Sequence, residues 1–227
     1  MVNTVGSYKT NKFWNKKWTE IKNKLRLSNR QKSVIFGSLL GDGTMRIGKD
    51  AINANFKVEH GLKQKDFVFW KFKELKNFVF TEPKLSFRYD ENGSKYQKSW
   101  WFRTIRHPEI TTIYRMFYLG DGYKTGKKVV PNNIYLDKYL NPLALSIWIM
   151  DDGSNNNKSI NISTYSFSHN DVKRLKSYLQ KRYLLNSKIY KDRDIGYRIF
   201  FNKINTRALV QIISPYFINS MKYKLVL

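Results

Sequence analysis

Cysteine is absent from this 227-residue chain, and so is any long apolar run. Without thiols there are no disulfide bridges, no cysteine-ligated zinc and no cysteine nucleophile, a composition that fits an intracellular protein. No apolar run approaches the roughly 18 residues that a membrane-spanning helix requires. Residues 1–27 form a basic N-terminal extension that lacks the apolar core of a secretory signal. We therefore expect an intracellular protein with no membrane partner.

Acidic residues are scarce as well, since 17 Asp and Glu stand against 42 Lys and Arg, which gives a net charge of +25 at pH 7. A surplus of this size indicates a polyanionic partner. The basic residues are spread along the whole chain, which favours nucleic acid over a membrane surface. Hydrophobic residues make up 41% of the chain and include six Trp. The chain can therefore bury a core and is not a disordered tail.

Residues 145–153, LSIWIMDDG, are an apolar run that ends abruptly in two carboxylates and a glycine. Asn141 and Pro142 precede the run, and both favour a helix start there. We predict a helix that ends near Asp151, with Gly153 in a left-handed exit. Acids at a helix C-terminus face outward-pointing carbonyls, a conflict that a divalent cation would remove. A surface helix end with a solvated turn is the alternative.

A second helix end of this kind occurs in residues 34–43, VIFGSLLGDG, behind a capping box at Ser28 and Gln31. Its Asp42 lies 110 positions before Asp152, and strands, a helix, a hairpin and a further helix are predicted after each acid. This order indicates an internal repeat. The sequence predicts a first half over residues 28–130, a linker over 131–141 and a second half over 142–227.

The first predicted hairpin turns at Asn92 and Gly93 and carries alternating polar residues on both strands. Lys84, Ser86 and Arg88 are predicted to share one face. The return strand is predicted to point a matching set to a single side: Lys95, Gln97, Ser99 and Arg103. Long donors mixed with amides can read base edges, although an ordinary solvated face explains the pattern equally well.

Further segments extend the pattern beyond the two motif helices. They are KKVVPNN at 127–133, YLNP at 139–142, WIMDDG at 148–153 and MKYKL at 221–225. From about Ser28 onward this ordered set resembles the single-chain LAGLIDADG homing endonucleases, in particular their intron-encoded mitochondrial type. The chain departs from the usual motif at Leu40 and Met150, where the family often has an acid, and at Ile147, which lies 110 positions after Gly37.

The resemblance implies an α+β fold in which two αββαββα halves form a pseudo-twofold pair. The motif helices would lie at its centre, and the antiparallel sheets would form a saddle on DNA. It implies a monomer that hydrolyses both strands of a long asymmetric site in double-stranded DNA with Mg²⁺. Mn²⁺ would substitute for Mg²⁺, and Ca²⁺ would support binding without cutting. Mitochondrial localisation is expected on the same basis. The alternative is an RNA-binding intron maturase on the same scaffold, with its own intron RNA as partner.

By the resemblance, the catalytic residues are Asp42, Asp152, Lys128 and Lys224. The metal would be held by Asp42 and Asp152, with the carbonyls of Gly41 and Asp151. Taken singly, the two lysines are also explained as plain phosphate contacts. The three histidines, His60, His107 and His169, show no metal-ligand spacing and are interpreted as ordinary polar residues. The predicted DNA contacts are Arg46, Asn53, Asn55, Lys57, Lys84, Ser86, Arg88, Lys95, Gln97, Arg103, Asn161, Ser163, Lys188, Tyr190, Lys191, Arg193 and Arg198.

Overall fold

A computed structural model of the chain describes residues 19–49, 51–120 and 126–225. Residues 19–24 lie in a helix, α1. The first half then contains α2 (Asn29–Leu40), β1 (Thr44–Arg46), β2 (Asn55–Gly61), α3 (Lys65–Glu74), β3 (Lys84–Tyr89), β4 (Lys95–Arg103) and α4 (Pro108–Phe117). Among the described residues, no helix is long and apolar enough to cross a membrane.

A short connecting region leads to the second half. It contains β5 (Tyr118–Leu119), β6 (Lys127–Lys128) and α5 (Asn133–Tyr139). The second half contains α6 (Pro142–Asp152), β7 (Gly153–Asn156), β8 (Ser159–Ser163), α7 (His169–Tyr183), β9 (Lys188–Asp192), β10 (Gly196–Phe201) and α8 (Lys203–Ile213). Single 3-10 turns occupy Leu62–Gln64, Lys76–Phe78 and Ser214–Tyr216, and a longer 3-10 segment occupies Asn219–Lys224.

The two halves have the same sheet topology. The first sheet has the strand order β1-β2-β4-β3 and the second has β7-β8-β10-β9, and both are antiparallel. Each sheet packs helices on one face and leaves the other face open. The predicted α+β class, with two halves of similar topology, is confirmed.

Side-chain caps set the starts of the helices as the sequence predicts. The Ser28 hydroxyl accepts from the Gln31 amide while the Gln31 side chain accepts from the Ser28 amide, which completes the capping box of α2. Asn141 caps α6 by accepting from the Ala144 amide. The exit of α6 differs from the prediction. Gly153 has φ −72° and ψ 142° and starts β7 directly, without a left-handed turn. A glycine is required there because a Cβ would lie 2.5 Å from the Ile149 carbonyl oxygen.

The centre of the molecule is the contact between α2 and α6. Both helices are buried over most of their length, so neither shows the one-sided apolar stripe of a surface helix. A Cβ on Gly37 would lie 2.3 Å from the Ala144 carbonyl oxygen, and one on Gly41 would lie 2.4 Å from the Asp151 Cβ. The close approach of α2 and α6 therefore relies on Gly37 within α2 and on Gly41 at its C-terminal end. Ile147 does not prevent it, because Ala144 faces Gly37 instead.

Candidate functional site

The ends of α2 and α6 bring the predicted acids into one site. Asp42 follows α2 and keeps 48% of its side chain exposed, whereas Asp152, the last residue of α6, is half-buried. Burial, together with the nearby carboxylates of Asp42 and Asp151, raises the pKa of Asp152 to about 8. The neighbouring His60 imidazole is the main reason that the pKa of Asp42 is lowered. Asp42 and Asp152 therefore lie close enough to interact electrostatically, while burial and their neighbours shift their pKa values in opposite directions.

The two predicted lysines hold the two motif ends in the same way. Lys128 on β6 donates from Nζ to the carbonyl oxygens of Gly41 at 2.9 Å and Gly43 at 3.3 Å. Lys224, in the last 3-10 segment, donates from Nζ to those of Met150 at 2.6 Å and Asp151 at 2.7 Å. Lys224 thus satisfies carbonyls that the last turn of α6 leaves without intrahelical partners, and Lys128 satisfies those of the cap and exit of α2.

Burial shifts the titration of both lysines. It lowers the pKa of Lys128 to about 8, against the opposing effect of Asp152 and the other site acids. It also lowers the pKa of Lys224. The structure therefore places two partly desolvated ammonium groups beside the carboxylates, one from β6 in the connecting region and one from the last 3-10 segment.

An oxygen-rich site with clustered carboxylates fits a hard divalent cation such as Mg²⁺. Burial is the main cause of the raised pKa of Asp152, and the carboxylates of Asp42 and Asp151 add to it. In addition, no described residue donates a hydrogen bond to the buried Asp151 Oδ2. The carbonyls of Gly41 and Asp151, predicted as metal ligands, already accept from Lys128 and Lys224. A carbonyl has two lone pairs, so their role toward a metal stays a prediction.

A buried polar network that the sequence did not predict lies directly behind Asp42. Lys71 on α3 has a fully buried side chain and donates from Nζ to Asp151 Oδ1 at 2.7 Å. His60 on β2 lies between Asp42 and Asp151, with Nδ1 3.5 Å from Asp42 Oδ2 and Nε2 3.4 Å from Asp151 Oδ1. Its Nε2 is also 3.3 Å from Lys71 Nζ. One ligand atom from each of Asp42, His60 and Asp151 falls within 4.8 Å of the others. His60, interpreted above as an ordinary polar residue, therefore belongs to the site.

The open face of the first sheet carries most of the predicted DNA contacts of that half. Antiparallel partners share a face, and the pairs are Arg46 with Asn55, Lys57 with Arg103, and Ser86 with Ser99. The opposite face packs Phe56, Val58 and Phe102 into the core. Lys84 and Arg88 lie on the open face and are exposed. Asn53 precedes β2, and its Oδ1 accepts from Thr111 Oγ1 at 3.0 Å, so its amide oxygen already holds α4.

Two cavities follow this open face. The larger, about 840 Å³, is lined by basic and aromatic residues including Arg46, Lys57, Trp101, Arg103 and Arg106. The smaller, about 440 Å³, is lined by Asp42 and His60 together with Lys57, Glu59, Lys98 and Ser99. Lys57 and Thr44 line both cavities. The larger cavity, which we call the basic groove, is therefore continuous with the smaller cavity at Asp42 and His60.

Lys95 and Gln97 do not share the open face, contrary to the prediction from alternation. The β3–β4 register shifts between Ser86 and Phe87, so Gln97 pairs with Phe87 and Lys95 with Tyr89. Phe87 and Tyr89 lie on the opposite side of β3 from Ser86, and the Lys95 ammonium sits 4.5 Å from the centre of the Phe87 ring. A β-bulge inserts one residue into a strand and reverses its alternation, which residue type alone does not signal here.

The second sheet has the same arrangement, except that Lys191, a predicted DNA contact, does not lie on its open face. Arg198 pairs with Ser163 and Tyr190, and Phe200 pairs with Asn161 and Lys188, so the predicted contacts among them share an open face. Lys191 instead pairs with Tyr197, on the side where Ile189 and Ile199 meet the core. Arg193 lies in the hairpin turn with φ 49° and is exposed.

Each open face also carries one acid that is held by neighbours. Glu59 accepts from Lys57 Nζ and from Ser99 Oγ, each at 2.5 Å. In the second sheet, Asp192 Oδ2 accepts from the Tyr165 hydroxyl at 2.5 Å and lies 2.5 Å from Arg198 Nη2. These pairs fix two of the predicted DNA-contacting cations in defined positions.

Two open sheet faces, joined at a pair of acidic helix ends that are each held by a lysine, define the class of two-motif nucleases that the sequence resembles. Residues 32–209 match the LAGLIDADG DNA endonuclease family. The chain belongs to this family.

Individual relatives agree with that assignment. The chain is 31% identical over 210 residues to DNA endonuclease I-ChuI of Chlamydomonas applanata, covering 88% of this chain and 96% of that protein. It is 31% identical over 203 residues to cytochrome b mRNA maturase bI2 of Debaryomyces hansenii, covering 88% of this chain and 74% of that protein. The homing endonuclease I-WcaI, solved bound to its DNA recognition sequence, has a similar fold, with a TM-score of 0.82 at 23% identity and coverage of 98% of this chain and 95% of that one.

Proposed function

We propose that this chain is a monomeric, site-specific homing endonuclease that hydrolyses both strands of double-stranded DNA with Mg²⁺. One observation supports the proposal most strongly. Asp42 and Asp152 share one site, Lys128 and Lys224 hold the carbonyls on either side of it, and the site opens into the basic groove of the first sheet. Metal-dependent phosphodiester hydrolysis needs this combination of clustered carboxylates and flanking cations.

In this proposal the Asp42 and Asp152 carboxylates hold the metal, and the Gly41 and Asp151 carbonyls contribute where their lone pairs allow. The bound ion supplies Lewis-acid activation of the phosphate and of the attacking water. Lys128 and Lys224 place positive charge where negative charge develops on the phosphate oxygens. Their burial strengthens that interaction, because solvent screens it less than at the surface. Each lysine would serve one strand, since each is tied to a different motif end.

The two open faces bind the duplex on either side of the cut. Their side chains differ, with Arg46, Lys57 and Arg103 in the first sheet and Asn161, Ser163 and Arg198 in the second. A recognition site with two unlike halves follows from this difference. The predicted contacts on Lys84, Ser86, Arg88, Lys188 and Tyr190 extend the faces outward.

An RNA-splicing role is the second candidate, and the likeness to cytochrome b mRNA maturase bI2 of Debaryomyces hansenii is the observation that favours it. The basic faces suit intron RNA as well as DNA. An origin in an organelle intron, and a place of action in the mitochondrion, are part of the proposal for the same reason. A maturase without nuclease activity has no need for the clustered acids, which is why cleavage is the first proposal.

Cleavage of the intron-less allele of the host gene tests the proposal directly. Purified protein with Mg²⁺ should cut a duplex that spans the intron insertion point and leave the intron-containing allele intact. Binding in Ca²⁺ without cutting is expected on the same duplex. The absence of any cutting, combined with tight binding of the intron RNA, would favour the maturase role instead.

A further inference from the structure

We infer that Lys71 is a positioning residue for cleavage, because it selects the tautomer of His60 that presents Nδ1–H to the Asp42 carboxylate. The inference rests on the proposed function and adds a residue that touches neither DNA nor the two catalytic acids. Lys71 has a fully buried side chain on α3, and its ammonium lies between Asp151 and His60.

The contacts of the Lys71 ammonium fix the direction of each hydrogen bond. An ammonium can only donate. Lys71 Nζ donates to Asp151 Oδ1 at 2.7 Å and lies 3.3 Å from His60 Nε2, and the Phe67 ring centre is 4.1 Å away. His60 Nε2 also lies 3.4 Å from Asp151 Oδ1, but that oxygen already accepts from Lys71 at 2.7 Å. A proton on Nε2 would point a donor at the ammonium, so Nε2 accepts from Lys71 and the proton of the neutral ring is on Nδ1. That nitrogen is the one 3.5 Å from Asp42 Oδ2.

The second half of the molecule shows that the fold itself does not require a lysine at this position. The buried residues of α3 include Phe67, Val68 and Lys71. The positions 104 residues later, in α7, are also buried and hold Asp171, Val172 and Leu175. Leu175 thus stands where Lys71 stands in the first half and fills an equivalent position with an apolar side chain.

The partners of Lys71 are likewise confined to one side of the site. On β2 the core-facing residues Phe56 and Val58 are followed by His60, whereas on the other sheet Ile160 and Ile162 are followed by Thr164. Thr164 donates its hydroxyl to the Tyr197 carbonyl oxygen at 2.6 Å and takes no part in the site. A buried charged group is costly unless it is paired. A buried lysine that occurs in only one of the two halves, next to the acids of the site, therefore indicates a role beyond packing.

A ¹⁵N spectrum of the imidazole rings tests the tautomer directly, because the chain has only three histidines. His107 supplies an internal reference of the opposite kind. Its Nδ1 accepts from the Glu109 amide and its Nε2 lies 2.9 Å from the Lys22 carbonyl oxygen, so its proton is on Nε2. At a pH where the rings are neutral, His60 should carry its proton on Nδ1 and His107 on Nε2. A His60 proton on Nε2 in the unaltered protein would overturn the inference whether or not any variant folds.

Lys71→Met supplies the second arm of the test. We expect the His60 proton to move to Nε2, where it can face Asp151, while His107 stays unchanged. Single-turnover cleavage should slow about 10- to 100-fold, the usual effect of losing a group that orients an active-site residue, with binding in Ca²⁺ retained. The double variant Lys71→Met/His60→Gln should be no slower than His60→Gln alone. Additive slowing, or an unchanged His60 tautomer in Lys71→Met, would contradict the inference.

Cleavage by the unaltered protein and the ring spectrum of His60 give independent results. Cutting by the unaltered protein that is lost in Asp42→Asn supports the proposed function whatever Lys71 does. If the unaltered protein does not cut, the ring spectrum still decides whether Lys71 sets the His60 tautomer.

Discussion

The two halves of this protein share strand order, helix order and lysine-held motif ends, but they differ in what lies behind each acid. Behind Asp42 the first half places His60 and the buried Lys71. The second half has Thr164 and Leu175 at the corresponding places. Backbone symmetry therefore positions two similar acids, while the side chains around them give each a separate environment. The pKa shifts follow that difference, since the pKa of Asp42 is lowered and that of Asp152 is raised to about 8.

The largest expected effect comes from removing either acid. Asp42→Asn and Asp152→Asn should each lower the rate of double-strand cleavage by about 1,000-fold or more, because one charge of the metal-holding pair is lost. Specific binding in Ca²⁺ should persist, since the basic faces are untouched. Asp66→Asn is the matched control, because Asp66 is exposed at the start of α3 on the helical side of the first sheet. Full double-strand cutting by either site variant would remove that acid from the mechanism.

The two lysines should have smaller and opposite effects on the two strands. Lys128→Met and Lys224→Met should each slow the chemical step about 10- to 1,000-fold, the range for lost electrostatic or acid–base groups. Since each lysine holds a different motif end, nicked intermediates with opposite strand preference should accumulate. Strand-labelled duplex under single-turnover conditions measures both. Unchanged rates with weakened binding would mean that the lysines are phosphate contacts only.

Stability against pH distinguishes the second acid from the first. Asp152 has a folded-state pKa raised to about 8, so the folded protein binds its proton more tightly than the unfolded chain does. Stability from this group is present below the unfolded pKa of about 4 and is lost as pH rises toward 8, at up to about 1.4 kcal/mol per pH unit. In EDTA, thermal unfolding should show a weaker loss from pH 5 to 8 in Asp152→Asn than in the unaltered protein. Identical pH profiles would show that the pKa of Asp152 is not raised in the folded protein.

The helix contact between the halves should be sensitive on the α2 side. Gly37→Ala would put a methyl group 2.3 Å from the Ala144 carbonyl oxygen, and we expect a loss of about 1–3 kcal/mol in the free energy of unfolding. Gly61→Ala is the control, because no atom lies within 4 Å of the Cβ it would gain. Its effect should stay within about 0.5 kcal/mol. Equal denaturant midpoints for both variants would show that α2 and α6 can move apart at little cost.

The smallest expected effect is on DNA affinity, and it should differ between the open and core-facing sides of the sheets. Arg88→Ala should weaken DNA binding several-fold and reduce the slope of log K against log salt by about 0.9, because one phosphate contact is lost. Lys191→Ala should leave both quantities nearly unchanged, since Lys191 lies on the core-facing side of its sheet. Salt titrations of both variants decide the matter. Equal weakening would mean that DNA also contacts the edge of β9.

The sequence alone was sufficient for the family and the class of fold, and the four residues it proposes for the central site lie together in the structure. Asp42, Asp152, Lys128 and Lys224 fall in short segments whose order along the chain is specific. Helix starts were predictable as well, because Ser28 and Asn141 act on amides only three residues away.

Contacts between distant segments could not be predicted in the same way. Lys71 and Asp151 are 80 positions apart and meet only because α2 and α6 pack closely. The one available signal was a lysine at helical spacing from Phe67 and Val68, on an otherwise apolar face. The reversed sides of Lys95 and Gln97 depend on a bulge, which alternation does not reveal. The side of Lys191 does follow from alternation, because its neighbour Tyr190 points to the open face.

The glycine-mediated contact of α2 with α6 also sets how this protein can be recombined with its relatives. Gly41 meets Asp151 at the same place where Asp151 meets Lys71, so one surface both joins the halves and builds the reaction centre. A hybrid that takes its halves from different parents must match the steric fit and the lysine–aspartate pair together. Exchange of the outer hairpins, residues 84–103 and 188–201, leaves that surface intact. If the proposed function holds, grafting hairpins onto an unchanged central helix pair should change DNA specificity while keeping the reaction centre.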